Sequence, residues 1–263
     1  MKMDRYETLL LECDTRGVLS ITLNRPEKKN ALSGDMIADL LQLSVKIQAG
    51  KDIRVAVLRG AGDVFCAGGD LVWMRQQIEA DREGRMREAR KLAHMLRALN
   101  ELKVPLIGVI HGGAFGGGVG MACVCDIAIA EDKTKFGLTE TRLGLIPATI
   151  SPYVIARMGE GKARRVFMSA RFFSAAEAKA LDLIADHVPK ERLEARVEEE
   201  IIPYLSVAPK AVAASKALAR MLGPSINDQV IDQTIMRLCD TWEGEEAQEG
   251  IDAFLIKRKP HWA

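Results

Sequence analysis

Val104-Pro105-Leu106-Ile107-Gly108-Val109-Ile110-His111-Gly112-Gly113-Ala114-Phe115-Gly116-Gly117-Gly118-Val119-Gly120-Met121-Ala122-Cys123-Val124-Cys125 contains no Asp, Glu, Lys or Arg. A run of this length and polarity is long enough to cross a bilayer. It also holds Pro105, His111 and seven glycines, three of them consecutive at 116–118. Such backbone is poorly suited to an uninterrupted lipid-facing helix. The better reading is a buried strand over 105–110, a tight glycine turn, and a buried helix from Gly117 onward.

Working outward, the same strand–helix alternation recurs. Residues 19–23 alternate between Gly17 and Pro26 and predict a strand. Ser33 is an N-cap residue, Met36, Ile37, Leu40 and Leu41 follow at helical spacing, and Gly50 closes the helix. Residues 53–58 are β-branched and end at Gly60, a second buried strand. Met86, Ala89, Ala93, Leu96 and Leu99 mark an amphipathic helix. Short strands are expected at 126–130 and 135–138. Beyond about residue 150 strand signals fade. Ser174 with Glu177 reads as a capping box, and helices are expected over 197–205, 209–222 and 226–242. No repeat or low-complexity linker breaks the chain. The fold class is α/β, with a core over residues 1–200 and a helical C-terminal region over 201–263.

The 263 residues are 48% hydrophobic and 28% charged, with a formal net charge of +1. That is a globular composition with no basic stripe for nucleic acid and no polybasic membrane patch. The basic run at 257–259 has the plain reading of a solvated helix end. The five cysteines, Cys13, Cys66, Cys123, Cys125 and Cys239, are odd in number and match no zinc spacing. Cys123 and Cys125 read as buried small hydrophobes. The N-terminus has charges but no apolar signal core. A reducing, cytoplasmic location is expected, with no metal and no membrane segment.

No P-loop, dinucleotide fingerprint, nucleophile elbow or zinc helix is present. Three features carry chemistry. Phe65-Cys66-Ala67-Gly68-Gly69-Asp70 follows a strand, and its glycines let backbone N–H groups approach a ligand; the alternative is an ordinary strand-to-helix turn. Residues 112–118 join a buried strand to a buried helix, whose N-terminus offers free donors to an oxygen that becomes anionic; the alternative is close helix packing. Glu140, after a short strand and before the apolar run 143–146, is a candidate half-buried general base; the alternative is a cap or a solvated carboxylate. His111 opens the glycine turn and lines either the site or the turn itself. His94 sits on a helix face.

Taken in order and spacing, from Asn24-Arg25-Pro26 to Phe254 and Lys257, these motifs resemble the crotonase (enoyl-CoA hydratase/isomerase) superfamily. The resemblance implies a spiral of ββα units with a helical C-terminal trimerisation region, assembling as homotrimers or as hexamers that are dimers of trimers. It implies an acyl-CoA thioester as substrate, with no cofactor beyond the CoA that is part of it. It places oxyanion-binding N–H groups on Gly69 and Gly117 and a catalytic acid on Glu140. CoA is expected near Lys28, Ala31, Ala67, Asp70 and Leu71, with Phe254 and Lys257 reaching the nucleotide of a neighbouring subunit. Met74, Phe115, Gly116, Gly120, Thr139 and Arg142 are expected around the acyl group.

One departure stands out. Typical enoyl-CoA hydratases have a second glutamate where this chain has Gly120, which cannot move a proton. Residues 70–75, 114–120 and 143–147 with 150–153 look like bacterial methylglutaconyl-CoA hydratases and the related isohexenylglutaconyl-CoA hydratases. The implied function is hydration of a branched, carboxylated enoyl-CoA such as 3-methylglutaconyl-CoA. An enoyl-CoA isomerase and a non-catalytic acyl-CoA-binding protein are the alternatives. A free substrate carboxylate calls for a cation, for which Arg142 and Arg75 are candidates.

Overall fold

The computed structural model describes residues 5–263. The elements in chain order are β1 (Leu9–Cys13), β2 (Val18–Leu23), α1 (Gly34–Ala49), β3 (Val55–Gly60), α2 (Leu71–Glu79), α3 (Arg82–Asn100), β4 (Leu106–Ile110), β5 (Gly113–Phe115), α4 (Gly117–Val124), β6 (Ile127–Glu131) and β7 (Lys135–Gly137). They continue with α5 (Ser151–Met158), α6 (Glu160–Phe167), β8 (Phe172–Ser174), α7 (Ala175–Ala180), β9 (Asp186–Val188), α8 (Leu193–Leu205), α9 (Pro209–Leu222), α10 (Asp228–Trp242) and α11 (Glu245–Leu255). The α/β class expected from the sequence is what the chain forms.

Among the described residues the strands make two sheets. The larger runs β1-β2-β3-β4-β6-β9, and the smaller β5-β7-β8. Only β1 is antiparallel in the larger sheet. Its central strands are apolar on both faces because both are covered. Ala56 and Leu58 of β3 join the main core, whereas Val55 and Val57 point the other way, against Leu193, Val197 and Ile201 of α8. A residue-200 boundary therefore falls inside a helix that seals this sheet.

The glycine-rich run divides as its composition requires. β4 is wholly buried, β5 crosses to the smaller sheet, and α4 buries every residue from Gly118 to Val124. Among the described residues no helix is long and apolar enough to cross a membrane. The local punctuation behaves as expected at Ser33, whose hydroxyl accepts from Met36 N–H at 3.3 Å. At Ser174 only half the expected capping box forms. Its hydroxyl accepts from Glu177 N–H at 3.2 Å, but the Glu177 carboxylate turns to Arg171 instead, a stronger, charge-assisted partner.

Two strands beyond residue 150 escaped the sequence reading. β8 and β9 are three residues each, too short to display a period. The helical C-terminal part is not a separate body. α10 lays Ile231, Ile235 and Cys239 on Ala89 and Ala93 of α3. α11 lays Ala247 and Ile251 on Leu145, just after the Glu140 turn. By contrast, α9 buries no residue in this chain.

Candidate active site

The two glycine turns are held side by side by main-chain pairing. Cys66 N–H donates to Gly113 O at 3.2 Å and Phe115 N–H donates to Cys66 O at 3.0 Å. This is a parallel bridge between Cys66 and Ala114. Both chains run the same way from that bridge, so three residues on they reach Gly69 and Gly117 together. A side chain on Gly68 would meet Phe115 O at 3.0 Å, and Gly68 has φ of +98°. Glycine is required there both by conformation and by closeness. Among the described residues, neither Gly69 N–H nor Gly117 N–H donates to a protein acceptor. Gly117 is the first residue of α4, where N–H groups have no partner within the helix.

Glu140 completes the arrangement. β7 delivers the chain to a one-turn 3₁₀ helix, Glu140–Leu143, whose exit is fixed by Gly144 at φ of +68°. Its carboxylate hangs over the α4 entrance, since a Cβ on Gly116 would lie 3.0 Å from Glu140 Oε1. Gly116 itself is tied to β7, donating to Gly137 O at 2.9 Å. The residue as a whole is half-buried, but Oε2 is out of reach of solvent and has no hydrogen-bond partner. Burial pushes the carboxyl up from 4.5 to about 7, partly offset by a hydrogen bond from its own N–H. A proton acceptor and donor balanced near neutrality thus sits beside Gly116, at the turn that leads into the Gly117 N–H. Such a set can hold an oxygen that gains negative charge while a proton moves nearby.

The residues expected around CoA converge on one side of these turns. Ala67 N–H donates to Lys29 O, Leu32 N–H to Gly68 O and Asp70 N–H to Leu32 O. Ala31 O accepts from Arg25 Nη1 at 2.8 Å. The Asp70 side chain is already employed: it caps α2 by accepting from Val72 and Trp73 N–H, and it pairs with Arg25 at 3.0 Å. Its carboxylate is structural, and its backbone is engaged as well, the N–H with Leu32 O and the carbonyl with Met74 N–H at 2.8 Å. Lys28 and Leu71 are exposed beside it. Phe254 and Lys257 lie exposed at and just past the end of α11.

Around the acyl end, Met74 lies 3.7 Å from where a Gly69 side chain would start. Phe115 makes an edge contact with Phe172 at 5.3 Å, and the Arg142 guanidinium lies over the Phe172 ring at 4.7 Å. Arg142 makes no ion pair among the described residues. Thr139 opens the Glu140 turn without capping it through its side chain. Arg75 lies on the exposed side of α2. His111 bonds to Gly62 O at 2.9 Å and so belongs to the loop bracing, not to the Glu140 cluster. His94 is partly buried on α3, where burial lowers its pKa.

Residues that sequence reasoning passed over also frame the site. Leu32 Cδ1 would stand 2.7 Å from a side chain on Gly117, and Ile150 Cγ2 2.4 Å from one on Gly120. Phe172 comes from β8, a strand whose three residues gave no signal. An apolar residue that meets a glycine only after folding leaves no pattern to read.

Comparison with known proteins agrees with this geometry. Residues 14–263 match the family model described as enoyl-CoA hydratase/isomerase. The chain is 33% identical over 256 residues to an enoyl-CoA isomerase/hydratase of Mycosarcoma maydis, covering 93% of this chain and 92% of that one. Among solved structures, AtuE of Pseudomonas aeruginosa superposes with a TM-score of 0.80 at 38% identity, covering 98% and 100% of the two chains. An enoyl-CoA hydratase from Shewanella pealeana does so with a TM-score of 0.80 at 36% identity, covering 98% and 97%. With fold, glycine turns and full-length similarity in agreement, the chain belongs to the enoyl-CoA hydratase/isomerase family, within the crotonase superfamily.

Proposed function

We propose that this enzyme adds water across the C2–C3 double bond of a branched enoyl-CoA that carries a free carboxylate, of which 3-methylglutaconyl-CoA is the representative. The observation that carries the reading is the Glu140 carboxyl, its Oε2 shut off from solvent and unpartnered and its pKa near 7, set against Gly116 at the entrance of α4. Gly69 and Gly117 N–H hold the thioester oxygen as it becomes an enolate oxygen. Water attacks C3 and gives a proton to Glu140, and the same carboxyl delivers a proton to C2, so the net change is one water added. Each oxyanion donor is worth about 3 kcal/mol in such a site. The CoA portion lies along Lys28, Ala31, Ala67, Asp70 and Leu71, and Phe254 and Lys257 of a neighbouring subunit close over its nucleotide in a trimer or a pair of trimers. Phe115, Met74, Gly116, Gly120 and Thr139 surround the acyl group.

The carboxylate at the far end of the substrate goes to Arg142. That guanidinium lies over the Phe172 ring and lacks an acidic partner among the described residues, which leaves its donors for a ligand carboxylate. A second reading, migration of the double bond by proton shuttling between carbons, is favoured by the lone Glu140 carboxylate beside Gly116. The purified enzyme is to be mixed with 3-methylglutaconyl-CoA and, separately, crotonyl-CoA, following the loss of enoyl-thioester absorbance and product masses. The hydratase reading expects a product heavier by one water from the branched substrate, lost in Glu140→Gln, and a raised KM for the branched substrate alone in Arg142→Ala. Unchanged mass with a moved double bond would establish the isomerase.

A further inference from the structure

Gly120 is the position at which α4 and the segment after Glu140 touch. Its N–H donates to Gly116 O at 3.2 Å, so the two glycines stand one helical turn apart. The space beside Gly116 is taken by Glu140 Oε1, and the space beside Gly120 is taken by Ile150. A Cβ on residue 120 would lie 2.4 Å from Ile150 Cγ2 and 2.9 Å from its Cβ, distances that no packed pair of carbons sustains. Ile150 cannot easily yield. It is 3% exposed within the main core, its χ1 is restricted by branching, and its carbonyl accepts the first N–H groups of α5, from Tyr153 and Val154, at 3.1 Å each. One turn of α4 thus carries a carboxyl beside one glycine and a rigid hydrocarbon wall beside the next.

We propose that Ile150 is a specificity-determining residue of this site: seated in the volume that a side chain on residue 120 needs, it holds the number of carboxyl groups at one and thereby limits which enoyl thioesters are hydrated. The proposal rests on the reading of Glu140 as the acid–base group. With hydrocarbon on that side, attacking water has only Glu140 to hold and deprotonate it. A second carboxylate can enter only if both residues change together. Ile150→Ala is insufficient, because Cβ stays 2.9 Å away, whereas Ile150→Gly leaves Cα as the nearest atom, at an ordinary 3.9 Å. Glycine is also acceptable at the N-cap that residue 150 occupies.

The test uses the full chain with Gly120→Glu, Ile150→Gly, both together, and Gly120→Gln with Ile150→Gly as the uncharged control. Thermal melting reads the steric exclusion without any substrate. The double variant is expected to melt higher than Gly120→Glu alone, with losses that do not add. Should the glutamate variants fail to fold, Gly120→Ala in the parent and in the Ile150→Gly background reads the same coupling, with a clear melting loss only when Ile150 is present. Kinetics then read specificity: the glutamate double variant is expected to hydrate crotonyl-CoA at least tenfold faster than the glutamine control and to gain a second limb in its pH profile. Additive melting losses would overturn the mutual exclusion. Coupled melting with crotonyl-CoA hydration no faster than the glutamine control would overturn the specificity role and leave a packing pair. Loss of the Glu140 reading itself would show separately, as hydration retained in Glu140→Gln.

Discussion

At the scale of single residues, Glu140 trades stability for reactivity. Its folded-state pKa of about 7 lies above the ordinary 4.5, so between those values the folded protein keeps a proton that the unfolded chain has released. Stability on this account is complete below pH 4.5 and falls as pH rises through about 7. The difference of about 2.5 units corresponds to roughly 3 kcal/mol. Glu140→Gln, which cannot ionise, is therefore expected to melt above the parent at pH 8 and level with it below pH 4, while hydration falls by about 10²–10⁴-fold. Melting curves at the two pH values check the first statement. A parent that outlasts the variant at pH 8 would mean that the carboxylate is well solvated or paired. In the parent, kcat/KM for hydration is expected to decline below pH 7 as the base is protonated.

At the scale of elements, the site is a product of glycine turns that no other residue could make. Gly112 has φ of +62°, and a side chain on it would lie 1.8 Å from Asp63 O, inside the neighbouring loop. Gly112→Ala is expected to cost about 3 kcal/mol or more, from backbone strain and overlap together, and to part the two turns that bring Gly69 and Gly117 together. Chemical denaturation of Gly112→Ala measures it. A loss under about 1 kcal/mol would show that the loops adjust independently. The neighbouring Gly117 meets only side-chain atoms, those of Leu32, whereas Gly116 has φ of +48° and meets the Gly68 backbone as well as Glu140. Substitution of Gly117 is therefore expected to act more on turnover than on stability.

At the scale of the whole molecule, one helix is unaccounted for by the single chain. α9 buries no residue and leaves Leu218, Met221 and Leu222 at 54%, 71% and 75% exposed. α10 and α11 are fixed to their own chain, by α3 and by the segment after Glu140 respectively. An uncovered apolar helix is the surface on which the proposed assembly would seat another copy. The proposed trimer or hexamer predicts a sedimentation mass of three or six times the 28.9 kDa chain. Leu222→Asp is expected to shift that mass towards the single chain. A parent that sediments as one chain would remove the neighbour's Phe254 and Lys257 from the CoA site.

The sequence by itself determined the class of fold, most of the long helices and the central strands, because hydrophobic period, caps and glycine turns are local signals. It also singled out Gly69, Gly117 and Glu140 as the proposed catalytic set, through motifs whose order and spacing resemble a known family. The short strands β8 and β9 were not legible, since three residues are fewer than any period needs. Nor was the edge-on Phe172 beneath Arg142, which β8 supplies. The decisive contact, Ile150 against Gly120, joins residues thirty positions apart on separate elements. Set against the family pattern, Gly120 marked the place of an acid that this chain lacks. Only tertiary packing decided that an isoleucine occupies the vacated space, because mutual exclusion of volume exists between folded elements and leaves no trace in a linear pattern.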